Sequence, residues 1–211
     1  IWKLPSQDLS VVLQTLIPRV EELKPNDFSN YPKSVDADAQ LATTSGATKI
    51  WTPTFEEIYP NDPEIIASGE IGNLFEGVHR FGHFDGMLTV VKRLFDLVQP
   101  KFAIFGEKDF QQLQIVKKLV FKYNIPVTII GCPIHRENNG LAMSSRNERL
   151  SKSTKEKAAI IFQILKTAKE IFKSKSAPET IQFVENEFQK HPEFQLEYFE
   201  IADEETLLPF T

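Results

Sequence analysis

The chain has 211 residues, enough for one or two domains, and its 41% apolar and 25% charged residues suit a globular protein with a real core. A net charge of −5 excludes the cationic surface that phosphate-backbone binding needs, so no nucleic-acid partner is expected. No apolar run approaches the roughly 20 residues of a membrane span, so no membrane partner is expected. The single cysteine, Cys132, offers neither an internal disulfide nor metal-ligand spacing, and the expected home is the cytoplasm. Ile1 stands where a Met would, without a secretory leader, and Thr211 closely follows what reads as a strand start. The natural product is therefore expected to be longer.

Ser6–Leu23 reads as a helix carrying Val11, Leu13, Leu16, Ile17 and Val20, interrupted at Pro18. Lys24–Lys33 is a loop by its prolines and Asn, Asp and Ser content. A helix over Val35–Thr44 stops near Gly46, followed by a short strand at Lys49–Trp51 and a helical turn at Phe55–Tyr59. His83–Gln99 has the 3.6-residue apolar repeat (Met87, Val90, Val91, Leu94, Phe95, Val98) and ends at Pro100. Phe102–Phe105 then reads as a buried parallel strand, Asp109–Tyr123 as an amphipathic helix, and Pro126–Cys132 as a second strand rich in β-branched residues. Strand, helix, strand at this spacing is a βαβ unit of a parallel sheet, with a right-handed crossover expected. Ligands of such sheets sit at the carboxyl ends of the strands, which here means Gly106–Asp109 and the loop after Pro133. Beyond Asn147 two helices, Ser153–Lys173 and Pro178–Lys190, precede a strand at Gln195–Ile201. The expected class is α/β, with one domain over 1–140 and a smaller α+β domain over 141–211.

Three segments are candidates for chemistry. In Gly106-Glu107-Lys108-Asp109, glycine permits close backbone approach, the helix start offers unpaired amides, and Lys108 adds charge where a phosphate would sit. A tight turn with a solvated lysine is an equally available reading. Met143-Ser144-Ser145-Arg146 strings two hydroxyls and a guanidinium into a donor set suited to polyphosphate oxygens. A polar linker that caps the next helix has the same composition. Glu76–Gly86 places Arg80 and His83 among three glycines ahead of the long helix, shaping a substrate mouth or, for His83, a structural hydrogen bond. Ser144 has no evident His and acidic partners for a nucleophilic triad.

Taken in order, these motifs resemble pantothenate synthetases. The resemblance runs from Tyr31-Pro32-Lys33 through Glu57-Ile58-Tyr59-Pro60, Gly82–Val91 and Val98–Leu113 to Gly140–Asn147, and continues more faintly to Leu208. It implies a Rossmann-like nucleotidyltransferase domain binding ATP, with Mg²⁺, and pantoate in one cleft. It also implies a reaction through pantoyl adenylate to pantothenate, with β-alanine as the amine, and a homodimer. On that model Lys108 and Arg146 are catalytic. Gly106, Glu107, Lys108, Asp109, His135, Met143, Ser144, Ser145 and Arg146 bind the nucleotide, His135 through its backbone at adenine. Gln112 bonds pantoate, while Val90, Val91 and Leu94 wall its methyl groups. Asp38 matches an acidic position associated with Mg²⁺, next to Ala37 where a second acid is often seen.

The sequence departs from the family pattern in several places. The family's amino-terminal Thr-Met-Gly loop with paired histidines has no counterpart before Lys24, and Val20–Leu23 replaces an Asn-Pro-x-Gln-Phe segment. Phe81 follows Arg80 where proline is usual, and the last strands of the second domain are missing. Either segments of an intact enzyme are omitted or the chain is deleted and inactive; the persistence of Glu107, Lys108, Gln112 and Arg146 favours omission. Two other readings compete: another nucleotidyltransferase of the same superfamily, and a non-catalytic protein that keeps the fold.

Overall fold

The computed structural model describes residues 35–210. The helix expected over Ser6–Leu23, the loop over Lys24–Lys33 and the motif at Tyr31–Lys33 lie outside the described residues. The elements are α1 (Val35–Thr44), α2 (Phe55–Ile58), α3 (Glu76–His79), α4 (His83–Val98), β1 (Phe102–Gly106), α5 (Phe110–Lys122), β2 (Thr128–Cys132), α6 (Lys152–Phe172) and α7 (Ala177–Gln189). Strands β1 and β2 pair in parallel, from Phe102 opposite Thr128 to Gly106 opposite Cys132. Both therefore end at the same rim.

Helix α4 begins where Gly82 adopts φ +74, a conformation that favours glycine, and stops at Gln99 in the left-handed region just before Pro100. Its buried Phe84, Leu88 and Phe95 recur at helical spacing and pack against Ile115, Val116 and Leu119 of α5. Each such side chain contributes about 1.5–3 kcal/mol when removed from water. Ala103 and Phe105 of β1 and Ile129 of β2 close this core from the sheet side. The expectation of a fully buried β1 is corrected: among the described residues, Phe102 is 53% and Ile104 47% exposed. The strand alternates because the described helices cover only the Ala103 and Phe105 side.

A polar stripe on α4 holds the segment before it. Arg93 Nε donates to Ile58 O at 2.8 Å, Thr89 Oγ1 accepts from Ile66 N at 2.9 Å, and Asp85 Oδ1 accepts from Ser68 N at 2.7 Å. Asp85, Thr89 and Arg93 stand four residues apart and so face one side of the helix. Residues Lys49–Trp51, expected as a strand, join no ladder among the described residues; Trp51 instead packs on a small cluster of Ile58, Tyr59 and Val90.

Helices α6 and α7 are capped by Ser151 and Ser176, the latter in a capping box with Glu179. They bury Ile164, Ala168 and Val184 between them, with Leu196 and Phe199 laid against the pair. The strand expected at Gln195–Ile201 joins no ladder among the described residues. Side chains anchor it instead, with Leu196 and Phe199 on the helices and Tyr198 stacked on His79 at 5.3 Å and Phe75 at 6.3 Å. Farther on, Ala202 bridges Pro209, and Leu207 enters the core built by α4 and α5. Among the described residues no helix is long and apolar enough to cross a membrane.

Candidate active site

The rim where β1 and β2 end carries the first group of expected residues. Gly106 closes β1, and a Cβ built on it meets nothing within 4 Å, so the strand tip faces open space. Residues Glu107–Asp109 then make a single 3₁₀ turn into α5. Glu107 reaches across to β2, its carboxylate lying over Gly131, where an added Cβ would come within 3.1 Å of Oε1. Lys108 Nζ stands 3.2 Å from Asp109 Oδ1, with both side chains well exposed. Such a surface pair holds its lysine only weakly, which leaves the ammonium ready for a stronger anion.

The second group stands on a hairpin after β2. Arg136 and Ala142 form an antiparallel bridge, Glu137 N donates to Leu141 O at 2.8 Å, and Met143 N donates to His135 O at 2.9 Å. The expected adenine contact at His135 and the Met143–Arg146 run are thereby neighbours. Gly140 turns the hairpin at φ +92, and a Cβ there would collide with the Phe162 ring of α6. The Arg136 guanidinium lies 4.0 Å from the centre of that ring and donates to Gly140 O at 3.1 Å. Asn139 Nδ2 donates to Lys155 O of α6, and Asn147 Nδ2 donates to Glu137 Oε1 and to Ala142 O. Ser144 then caps a 3₁₀ turn over Ser145–Arg149, its Oγ accepting from Arg146 N. Ser145 and Arg146 are exposed.

His83, at the first turn of α4, ties the two groups together. Burial first, and then the Arg80 and Arg146 guanidiniums, push its imidazole down to about 4, against the opposing pull of the Asp109 carboxylate. Charges from both the strand tip and the hairpin thus act on this imidazole. Lys108 belongs to the same corner through its contact with Asp109.

Gln112 is half-buried in the first turn of α5, and its side chain makes no hydrogen bond with the described residues. Its neighbour Gln111 donates to Ile71 O at 2.8 Å and Leu74 O at 2.7 Å, fixing the 3₁₀ turn at Glu70–Asn73. Val90 and Leu94 pack with Ile58 and Tyr59, whereas Val91 packs on the main core. The three are thus wall material between clusters. Asp38 is exposed on α1. Sequence reasoning missed Arg136, Asn139 and Asn147, which shape the hairpin; the only sequence sign was Gly140 amid polar residues.

The family model described as Pantoate-beta-alanine ligase matches residues 6–210. The pantothenate synthetase of Christiangramia forsetii is 43% identical, over 93% of this chain and 71% of the relative. That of Flavobacterium psychrophilum is 47% identical, over 87% of this chain and 66% of the relative. The chain thus spans about two thirds of the length of the curated relatives it matches. The crystal structure of pantothenate synthetase from Thermus thermophilus superposes with a TM-score of 0.86 at 38% identity, covering 95% of this chain and 74% of that one. A Francisella tularensis pantoate-beta-alanine ligase, complexed with Beta-gamma ATP and Beta-alanine, gives 0.71 at 32% identity, covering 85% and 68%. With sequence, fold and the ordered motifs in agreement, the chain belongs to the pantoate–β-alanine ligase family.

Proposed function

We propose that the protein condenses pantoate with β-alanine at the expense of ATP, passing through pantoyl adenylate and releasing pyrophosphate and AMP. In the first step a pantoate carboxylate oxygen attacks the α-phosphorus and the bond to the β-phosphate oxygen breaks. In the second, the amino nitrogen of β-alanine attacks the mixed anhydride carbonyl, AMP leaves, and the nitrogen loses its protons. Neither step asks for a strong acid or base in the chain. Orientation and stabilisation of phosphate charge are the main requirements.

What supports this reading is the strand tip where β1 and β2 end, with Gly106 facing open space and Lys108 exposed beside Asp109, in a chain that belongs to the pantoate–β-alanine ligase family. Lys108 serves the α-phosphate region, while Gly106, Glu107 and Asp109 line the nucleoside along the open strand tip. Ser144, Ser145 and Arg146 hold the β- and γ-phosphates, Met143 flanks them, and the His135 backbone meets adenine. Gln112 bonds pantoate against Val90, Val91 and Leu94. For Mg²⁺, Asp38 offers one exposed carboxylate, and no group of three or more His, Cys, Asp or Glu lies among the described residues, so an ion held here would depend mainly on the phosphates of the nucleotide. No step here is routed through the ion. A cytoplasmic homodimer belongs to the same proposal, on family likeness.

ATP–pyrophosphate exchange tests the reading. Exchange that requires pantoate and needs no β-alanine is the expected result. Exchange indifferent to pantoate would favour another nucleotidyltransferase, and no exchange by folded protein would favour a non-catalytic role.

A further inference from the structure

Helix α5 begins without a side-chain cap: Asp109 makes no capping hydrogen bond, and its carboxylate stands 3.2 Å from Lys108 Nζ instead. The first turn of a helix carries unbonded amides and frays unless something ties it down. Gln111 supplies the tie. Its Nε2 donates to Ile71 O at 2.8 Å and to Leu74 O at 2.7 Å, 40 and 37 residues back in the chain. Both partners are carbonyls, so the amide can face them only with its nitrogen. The turn it grips is itself strained. Phe75 holds φ +44, a value that residues with a side chain seldom adopt, and a Cβ on Gly77 would collide with Gly72 O. Such a backbone persists only where its surroundings over-determine it. Leu74 O, one residue before Phe75, accepts from both Gly77 N and Gln111 Nε2.

The amide is not there for stability alone. Gln111 Oε1 lies buried without a partner among the described residues, and an unpaired buried acceptor works against the fold. What the residue supplies is two donors from one nitrogen, which fix a position. We propose that Gln111 is a positioning residue: by clamping the first turn of α5 to residues 71–74, it sets where Gln112, the next residue, meets pantoate. The inference rests on the ligase reading above. Gln111 itself touches no substrate, because both its donors are committed and its oxygen is enclosed. Lys108 stands on the far side of the tie, on the 3₁₀ turn that continues β1, so the sheet sets its place. Loosening the clamp therefore moves the pantoate contact and spares the phosphate contact.

The experiment compares the full chain with Gln111→Met, Gln111→Glu and Gln111→Lys in ATP–pyrophosphate exchange, saturating with pantoate and with ATP separately. Methionine keeps the length and removes the donors. Glutamate sets a carboxylate against two carbonyl oxygens, and lysine restores a donor to both. The expected result is a pantoate KM raised about tenfold in Gln111→Met and further in Gln111→Glu, with the ATP KM within about twofold of the parent. Gln111→Lys should recover most of the pantoate loss. The urea midpoint of Gln111→Met should stay close to the parent, because the lost hydrogen bonds and the removed orphan oxygen offset each other. An unchanged pantoate KM in Gln111→Met, equal rises for pantoate and ATP, or a lysine variant no better than the glutamate one would overturn the proposal. If Gln111→Met does not fold, the lysine and glutamate pair carries the same test. The parent separates the two claims. Pantoate-dependent exchange there, with variants that match it, sinks the positioning role alone; exchange indifferent to pantoate sinks the ligase reading, and the positioning role with it.

Discussion

The strand tip Gly106–Asp109 and the hairpin carrying Ser144–Arg146 face the same corner but are held there by different forces. The tip grows from a strand whose inner residues, Ala103 and Phe105, are packed on the α4–α5 core. The hairpin has little apolar anchorage and stands on Arg136, Asn139 and Asn147, plus one glycine pressed on Phe162. A position set by burial is stiff, because a packed core resists displacement. One set by a few polar staples, each contributing about 0.5–1.5 kcal/mol, can loosen without the fold unravelling. A rigidly held lysine and an adjustable hairpin are the arrangement that results.

The largest effect should come from the stiff side. If the strand tip holds the α-phosphate as proposed, Lys108→Ala removes a full charge there and should cut pantoate-dependent exchange by about 10²–10³-fold. Its circular dichroism should match the parent, because the side chain is exposed; unchanged exchange would remove Lys108 from the chemistry. On the adjustable side, Gly140→Ala combines a φ of +92 with a collision at Phe162 and should cost about 1–3 kcal/mol of local stability. Hydrogen exchange over residues 135–147 would read this as faster opening, and ATP saturation should weaken while pantoate saturation holds. Equal weakening of both would break the distinction between the two regions.

A subtler effect concerns the corner they share. Folded His83 takes its proton only near pH 4, whereas an unfolded chain takes it near 6.5. Unfolding therefore takes up a proton between those values, and stability falls as pH drops through that window, being fully retained above it. The urea midpoint of the parent should drop more steeply from pH 7 to 4.5 than that of His83→Gln, and parallel curves would show that the corner does not desolvate the imidazole. The smallest change lies away from both regions. Tyr59, 7% exposed, buries a hydroxyl without a partner among the described residues, and burial pushes it up to about 12. Tyr59→Phe should be neutral or stabilise by about 1 kcal/mol in urea unfolding. A clear loss would mean that the hydroxyl is satisfied after all.

The same division separates what the sequence made legible from what it did not. Helix α4 was expected over His83–Gln99 and runs over His83–Val98; α5, expected over Asp109–Tyr123, runs over Phe110–Lys122. Apolar periodicity marks such elements because their burial is what holds them. The motif residues could likewise be named, since glycine, lysine and paired hydroxyls carry their chemistry in their identity. Long-range staples leave no such trace. Gln111 reaches residues some forty positions earlier, at Ile71 and Leu74, and Asn139 reaches Lys155, and neither spacing has a period. The misread strand at Gln195–Ile201 has the opposite cause. Its apolar residues serve attachment to α6, α7 and His79 and not a ladder.

Leu207 lies buried in the α4–α5 core although the whole α6–α7 pair intervenes in the chain. The polypeptide thus loops out from the first unit and is stitched back into it. A protease cut at the exposed turn Lys173–Lys175 would leave two fragments still clasped together, and heating should melt both units in a single cooperative transition.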